Sequence, residues 1–211
     1  GITNLGDFKD PQIAAAFDHD GDGKADLIGC NVGWGCEIII QHQLAAFGLE
    51  DTVSHGQGDY SELIMETFER YESGESILFY TWTPNWTVSK MRIGEDVVWL
   101  STPYSTQPDK ELIDTAVDST PGCLESPCDL GFESNDIRVA ASIDFLEDNP
   151  AAAKLFELVE IPLEDIAAQN VLMLNGENRD EDIRRHAQEW IEVNRSQVDG
   201  WLEAARAAVD K

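Results

Sequence analysis

Residues 76–82, SILFYTW, decide the fold. The run is apolar and aromatic, without the polar residue at every second position that marks a half-exposed strand. That pattern belongs to a strand covered on both faces, as in a parallel sheet. Reading outward from it, GDYSELIMETFERYESG (58–74) predicts a helix closed by Gly74, and DTVSH (51–55) a short strand. EIIIQHQLAAFGL (37–49) predicts a helix ending near Gly48, and DLIG (26–29) another strand. DPQIAAAF (10–17) predicts a short helix with Pro in its first turn. Strand and helix alternate, so the expected class is α/β with a parallel sheet.

Downstream, Pro84 and Gly94 punctuate residues 84–96, a shift that marks a crossover between two lobes. VVWLSTP (97–103) and DIRVAASIDF (136–145) predict strands, with a long Pro-, Gly-, Ser- and Asp-rich loop at 104–135 between them. NPAAAKLFELVE, PLEDIAAQNVLML and the run from Asp180 to Val209 predict helices.

The 211 residues hold 41 acidic against 14 basic side chains, a net charge of −27. Nucleic acid is a poor partner for such a surface, because its affinity comes largely from Lys and Arg on phosphates. Anionic membrane surfaces are excluded on the same ground. The acids are spread along the chain rather than gathered in a tail, which describes a solvated, self-repelling surface. Hydrophobic residues make up 42% of the chain, enough for a packed core. No apolar run approaches the roughly 18 residues of a membrane span. The first residues, GITNLGDFKD, lack the basic-then-apolar pattern of a targeting peptide.

Four cysteines form two close pairs, Cys30 with Cys36 and Cys123 with Cys128. Two local disulfides and a shared four-ligand zinc site are the competing readings. Five residues separate the first pair, wider than structural zinc usually takes, so the spacing favours disulfides and an oxidising compartment.

In CNVGWGC (30–36), Gly33 and Gly35 flank Trp34 just before a predicted helix. Backbone N–H groups of Gly35 and Cys36 would then lie at a helix N-terminus, suited to a carboxylate, beside an indole face suited to a cation. A small zwitterion fits both features; an ordinary buried Trp is the plain alternative. Trp82, in YTWTPNW (80–86), ends the decisive strand, on the sheet edge where ligands of open α/β folds gather. Trp86 is expected to pack between lobes, and Trp99, Trp190 and Trp201 to serve in cores.

DHDGDGKAD (18–26) places Asp18, Asp20, Asp22 and Asp26 at positions 1, 3, 5 and 9 of a loop, with the Lys24 carbonyl at 7. This is calcium-ligand spacing without the bidentate Glu of an EF-hand, since Gly29 stands at position 12. A structural calcium and a solvated Asp-Gly turn are both open. His19, His42, His55 and His186 are scattered, with no HExxH and no GxSxG. Neither an enzyme nor a catalytic cofactor is expected.

GDGKADLIGCNVGWGCE, HQLAAF, FYTWTPNW, VVWLSTP, NPAAAKLF and DGWLEAA, in that order along the chain, resemble the ProX-like glycine betaine/proline betaine binding proteins of ABC importers. The resemblance implies a type II periplasmic-binding-protein fold, two α/β lobes with a ligand cleft. Residues 1–90 would form the second lobe and most of the site. Residues 91–211 would form the C-terminal part of the first lobe and the closing helices. It implies that Trp34 and Trp82 are walls of an aromatic cage for a quaternary ammonium. Gly35 and Cys36 would donate to the ligand carboxylate, and Cys30–Cys36 would be the family's disulfide. A third cage tryptophan and a histidine of the family lie in an N-terminal segment without a counterpart here, so the first lobe is expected to lack its opening part, supplied by a missing segment or another chain. The implied ligand is glycine betaine or a similar zwitterion, and the implied partner an ABC permease. The implied location is periplasmic or otherwise extracytoplasmic, free or lipid-anchored. The rival function is a calcium-dependent extracellular interaction module centred on residues 18–26.

Overall fold

The computed structural model describes residues 1–110 and 113–209, so residues 111 and 112 of the expected loop and the last two of the chain lie outside the described residues. The chain falls into two compact units. One comprises Gly1–Trp82 with Thr87–Ser134; the other comprises Thr83–Trp86 with the residues from Asn135 onward.

The first unit is built on a parallel three-stranded sheet. Helix α1 (Pro11–Ala14), capped by the Asp10 carboxylate on the Gln12 N–H, leads into the Asp-rich loop. Strand β1 (Ala25–Ile28) is central, flanked by β2 (Val53–Gly56), with α2 (Gly35–Phe47) between them in the chain. Helix α3 (Tyr60–Glu72) then returns the chain to β3 (Leu78–Phe79) on the other side of β1. Ala25 faces Val53 and Leu27 faces Leu78 in the ladders, and all four are buried. Ile40, Leu44, Phe47, Leu49 and Ile64 add buried side chains from the α2 and α3 side.

Local signals in the sequence end the helices. Gly48 adopts φ +66° after α2. Its N–H bonds the Ala45 carbonyl and the Leu49 N–H bonds the Leu44 carbonyl, the paired closure that only a left-handed residue allows without strain. Asp59 caps α3 by accepting from the Ser61 and Glu62 N–H groups. The expected strand at 76–82 forms a ladder at Leu78–Phe79, extended by the Tyr80 N–H on the Ile28 carbonyl at 2.7 Å.

After the one-turn α4 (Thr87–Lys90), the expected strand at 97–103 makes only single bridges, Val97 to Ile93, Trp99 to Cys123 and Ser101 to Asn4. Its successive residues meet different partners, so no continuous ladder forms. The expected loop instead holds a short antiparallel pair, β4 (Ala116–Val117) with β5 (Cys128–Asp129). Asp129 ties this region together, accepting from Ser105 Oγ at 2.6 Å, Thr115 Oγ1 at 2.5 Å and the Gly131 N–H at 3.0 Å. Partial burial disfavours its charge, yet these donors outweigh burial and hold its carboxyl below the usual range.

The second unit is helical: α5 (Ile143–Asp148), α6 (Pro150–Leu158), α7 (Leu163–Leu174), α8 (Asp180–Val193) and α9 (Arg195–Ala207). Helix α9 packs on α6 and α8. The long helix expected from Asp180 is broken at Asn194, whose side chain bonds the Trp190 carbonyl. Trp190 donates to Asp165 at 2.8 Å and stacks on Trp201. The strand expected at 136–145 does not form, and its last three residues open α5 instead. It has no neighbouring strand among the described residues, and Ile137 and Val139 remain exposed. Strand propensity without a partner leaves the ladder bonds unmade.

Gly131 sits at φ +72°, where an added Cβ would lie 2.5 Å from Gln43 Nε2 and 2.7 Å from Thr102 Cγ2. Gly131→Ala is expected to lower stability by at least about 2 kcal/mol in chemical denaturation, from steric overlap and backbone strain together.

Candidate functional site

The carboxyl ends of the parallel strands β1 and β3 lie at one edge of the sheet, and both chains leave it there. β1 continues into the 30–36 turn, which the Cys30–Cys36 disulfide closes with a Cα–Cα distance of 6.5 Å. Cys123–Cys128 is the second disulfide, and no cysteine is free among the described residues, so the disulfide reading holds over the zinc one. Gly33 takes φ +90°, and its N–H bonds the Glu37 carboxylate at 2.5 Å. Trp34 is the extended residue that precedes α2, with no side-chain cap. Gly35 and Cys36 are the first residues of that helix, so their N–H groups have no intrahelical acceptor and carry the positive end of its dipole.

Trp34 is 43% exposed. Its ring centroid lies 6.1 Å from that of Trp82, at an interplanar angle of 69°. Tyr60, the first residue of α3, touches both, at 6.2 Å from Trp34 and 4.9 Å from Trp82. Tyr80 contacts Trp82 at 5.8 Å and Phe132 at 5.2 Å. The structure therefore brings the four expected residues, Trp34, Gly35, Cys36 and Trp82, to one edge of one sheet. Sequence reasoning missed Tyr60 and Tyr80. Tyr60 begins the helix that follows β2, so the rule that picked out Trp82 could have found it. Chemically the cluster offers electron-rich ring faces beside two unpaired backbone donors.

The chain matches, over residues 1–193, the family described as the substrate binding domain of ABC-type glycine betaine transport systems. It belongs to that family. It is 49% identical over 207 residues to the glycine betaine-binding periplasmic protein OusX of Dickeya dadantii, covering 98% of this chain and 60% of that protein. It is 44% identical to the glycine betaine/proline betaine-binding periplasmic protein of Escherichia coli, covering 98% of this chain and 61% of the relative. The protein of the same description from Salmonella typhimurium is 43% identical over 208 residues, with the same shares covered. The chain thus spans about three fifths of the length of these relatives. The resemblance read from the sequence motifs is borne out. Nothing in the family or in the relatives' names supports a calcium-dependent interaction module.

The Asp-rich loop lies before β1. Asp18, Asp20 and Asp22 each offer a carboxylate oxygen within 4.8 Å of the others. Asp26 stands outside that group: it lies in β1 and accepts from the His19 N–H at 2.8 Å and Ser54 Oγ at 3.0 Å. The carboxylates of the loop also hold its backbone, Asp18 on the Gly21 and Gly23 N–H groups and Asp22 on that of Lys24. The Lys24 ammonium donates to the Glu50 carbonyl. Of the histidines, His42 pairs with Thr106 Oγ1 at 2.8 Å and the buried His186 with Glu177 at 3.0 Å. Burial pulls His55 below its ordinary pKa, against a weaker opposing pull from Glu37. No helix among the described residues is long and apolar enough to cross a membrane.

Burial pushes the Tyr60 phenol up to about 12, only partly countered by the Thr81 and Thr87 hydroxyls. The folded state therefore holds this proton longer than the unfolded chain, whose phenol titrates near 10.0. Its contribution to stability is complete below pH 10 and is lost as pH rises toward 12. Ultraviolet titration is expected to show a late phenolate step near pH 12 that disappears in Tyr60→Phe.

Proposed function

We propose that this protein is the substrate-binding component of an ABC importer for glycine betaine or a closely related quaternary-ammonium zwitterion. The observation that carries the reading is the pair of indoles, Trp34 and Trp82, 6.1 Å apart beside the uncapped start of α2. A methylated ammonium resting against both would lie within the roughly 6 Å reach of cation–π attraction from each ring. A carboxylate one methylene away would meet the N–H groups of Gly35 and Cys36, where the helix dipole favours negative charge. The names of the relatives support the same ligand. The Cys30–Cys36 bond serves the site by holding indole and donors in one turn, so less ordering is left to be done on binding.

On this reading the fold is the type II periplasmic-binding-protein fold, and residues 1–90 carry most of the ligand site, although the compact unit that holds most of them also takes in Thr87–Ser134. The protein works in the periplasm and performs no chemistry. Its signal to the permease is a ligand-driven shift in conformation, drawn from differential affinity for two states. Calorimetric titration with glycine betaine tests it. Trp82→Ala and Trp34→Ala are each expected to weaken binding by about 1–2 kcal/mol. Glycine, which lacks the methyl groups, is expected not to bind. Wild-type affinity in both variants would sink the cage.

A second, structural proposal concerns Asp18, Asp20 and Asp22, whose carboxylate oxygens are close enough to share a cation. Calcium held there would relieve their mutual repulsion and fix the loop that leads into β1. Millimolar calcium is expected to raise Tm by a few degrees, with betaine affinity unaffected by chelator. A wild-type response to calcium in Asp20→Asn would remove the loop from consideration.

A further inference from the structure

Tyr60 is the one side chain whose ring touches both Trp34 and Trp82 among the ring contacts of the described residues. It is buried, with 6% of its surface exposed, and is fixed at three points. Its backbone N–H donates to Asn31 Oδ1 at 3.0 Å, inside the disulfide-closed turn. Its hydroxyl donates to the Tyr80 carbonyl at 3.2 Å, two residues before Trp82. Its ring lies nearly parallel to Trp34, at 29°, and tilted by 41° against Trp82. Trp34 itself stands between two glycines and is nearly half exposed, so its own neighbours in the chain do little to orient it.

We infer that Tyr60 is a positioning residue that sets the angle between the two indoles and thereby the size of ammonium group they accept. Its backbone holds the turn that carries Trp34 and its hydroxyl holds the segment that carries Trp82, so one residue couples the two walls. Packing then makes the coupling rigid, because aromatic rings in contact favour a few tilted or offset arrangements. This inference rests on the betaine site proposed above.

The test compares Tyr60→Leu, Tyr60→Phe and Trp82→Ala with the wild type. Near-ultraviolet circular dichroism without ligand reports the indole pair, and calorimetry reports glycine betaine and dimethylglycine affinities. Tyr60→Leu is expected to lose the coupled indole signal and to weaken glycine betaine binding about tenfold, by misplacing the rings rather than removing them. The preference for glycine betaine over dimethylglycine is expected to narrow, whereas mere destabilisation would weaken both alike. Tyr60→Phe keeps the ring and is expected to stay within about threefold of wild type, the loss of one neutral hydrogen bond. A folded Tyr60→Leu with wild-type signal, affinity and preference overturns the inference. If Trp82→Ala weakens binding while Tyr60→Leu does not, the inference fails and the cage stands. If neither does, the cage fails, and the ligand-free indole signal alone decides the role of Tyr60. Should Tyr60→Leu not fold, Asn31→Ala, which frees the start of α3, takes its place. A weakened indole signal supports the inference and an unchanged one overturns it.

Discussion

Closure of the 30–36 turn by the Cys30–Cys36 bond is the constraint on which the site depends. Cys30 is buried just past β1, and Cys36 is buried in the first turn of α2, so the bond ties the sheet to the helix across the turn. The intervening residues are then free to be poor packers. Val32, Gly33, Trp34 and Gly35 all face solvent to a large degree, an arrangement that an open loop would not hold in one conformation. Glu37 adds to it from the helix side by taking the Gly33 N–H. The far end of α2 is fixed independently, by the buried Gln43 amide on the Gly131 carbonyl at 2.7 Å. Helix, turn and sheet edge thus behave as one rigid piece, and the positive end of the helix is held where the indole is displayed.

A second consequence of this anchoring is that the aromatic cluster runs deeper than the two tryptophans. Tyr80 meets Phe132, the neighbour of Gly131, so the contacts behind Trp82 lead back to the residue that α2 grips. The polar knot around Asp129 secures that region from the other side. The aromatic cluster is therefore supported by the core and by the loop region together.

Much of this was legible in the sequence, and the limits have physical causes. The alternation over residues 10–82 was readable because each helix there has a cap residue or a closing glycine: Asp10, Gly48, Asp59 and Gly74. The Gly-Trp-Gly turn was readable because glycines on both sides of an indole argue against simple burial. Tyr60, just past the carboxyl end of β2, was open to the same rule as Trp82, whereas nothing about Tyr80 in the sequence marks its contact with Phe132. The strand expected at 136–145 failed for a related reason. Ile137 and Val139 have the propensity, but a strand is a property of a pair, and no partner lies among the described residues. Asp26 likewise matched a ligand spacing, while its oxygens are taken up by His19 and Ser54.

The two indoles leave the sheet from neighbouring strands, joined by the Leu27–Leu78 and Ile28–Phe79 register and the Tyr80–Ile28 bond. Side chains on a strand alternate between faces, so a slip of one residue would carry everything beyond β3 to the opposite side. The buried leucines that fix this register thereby also set where the two indoles stand. A packing error between them would shift one indole against the other. In this protein the core and the geometry of the aromatic pair are one inherited character.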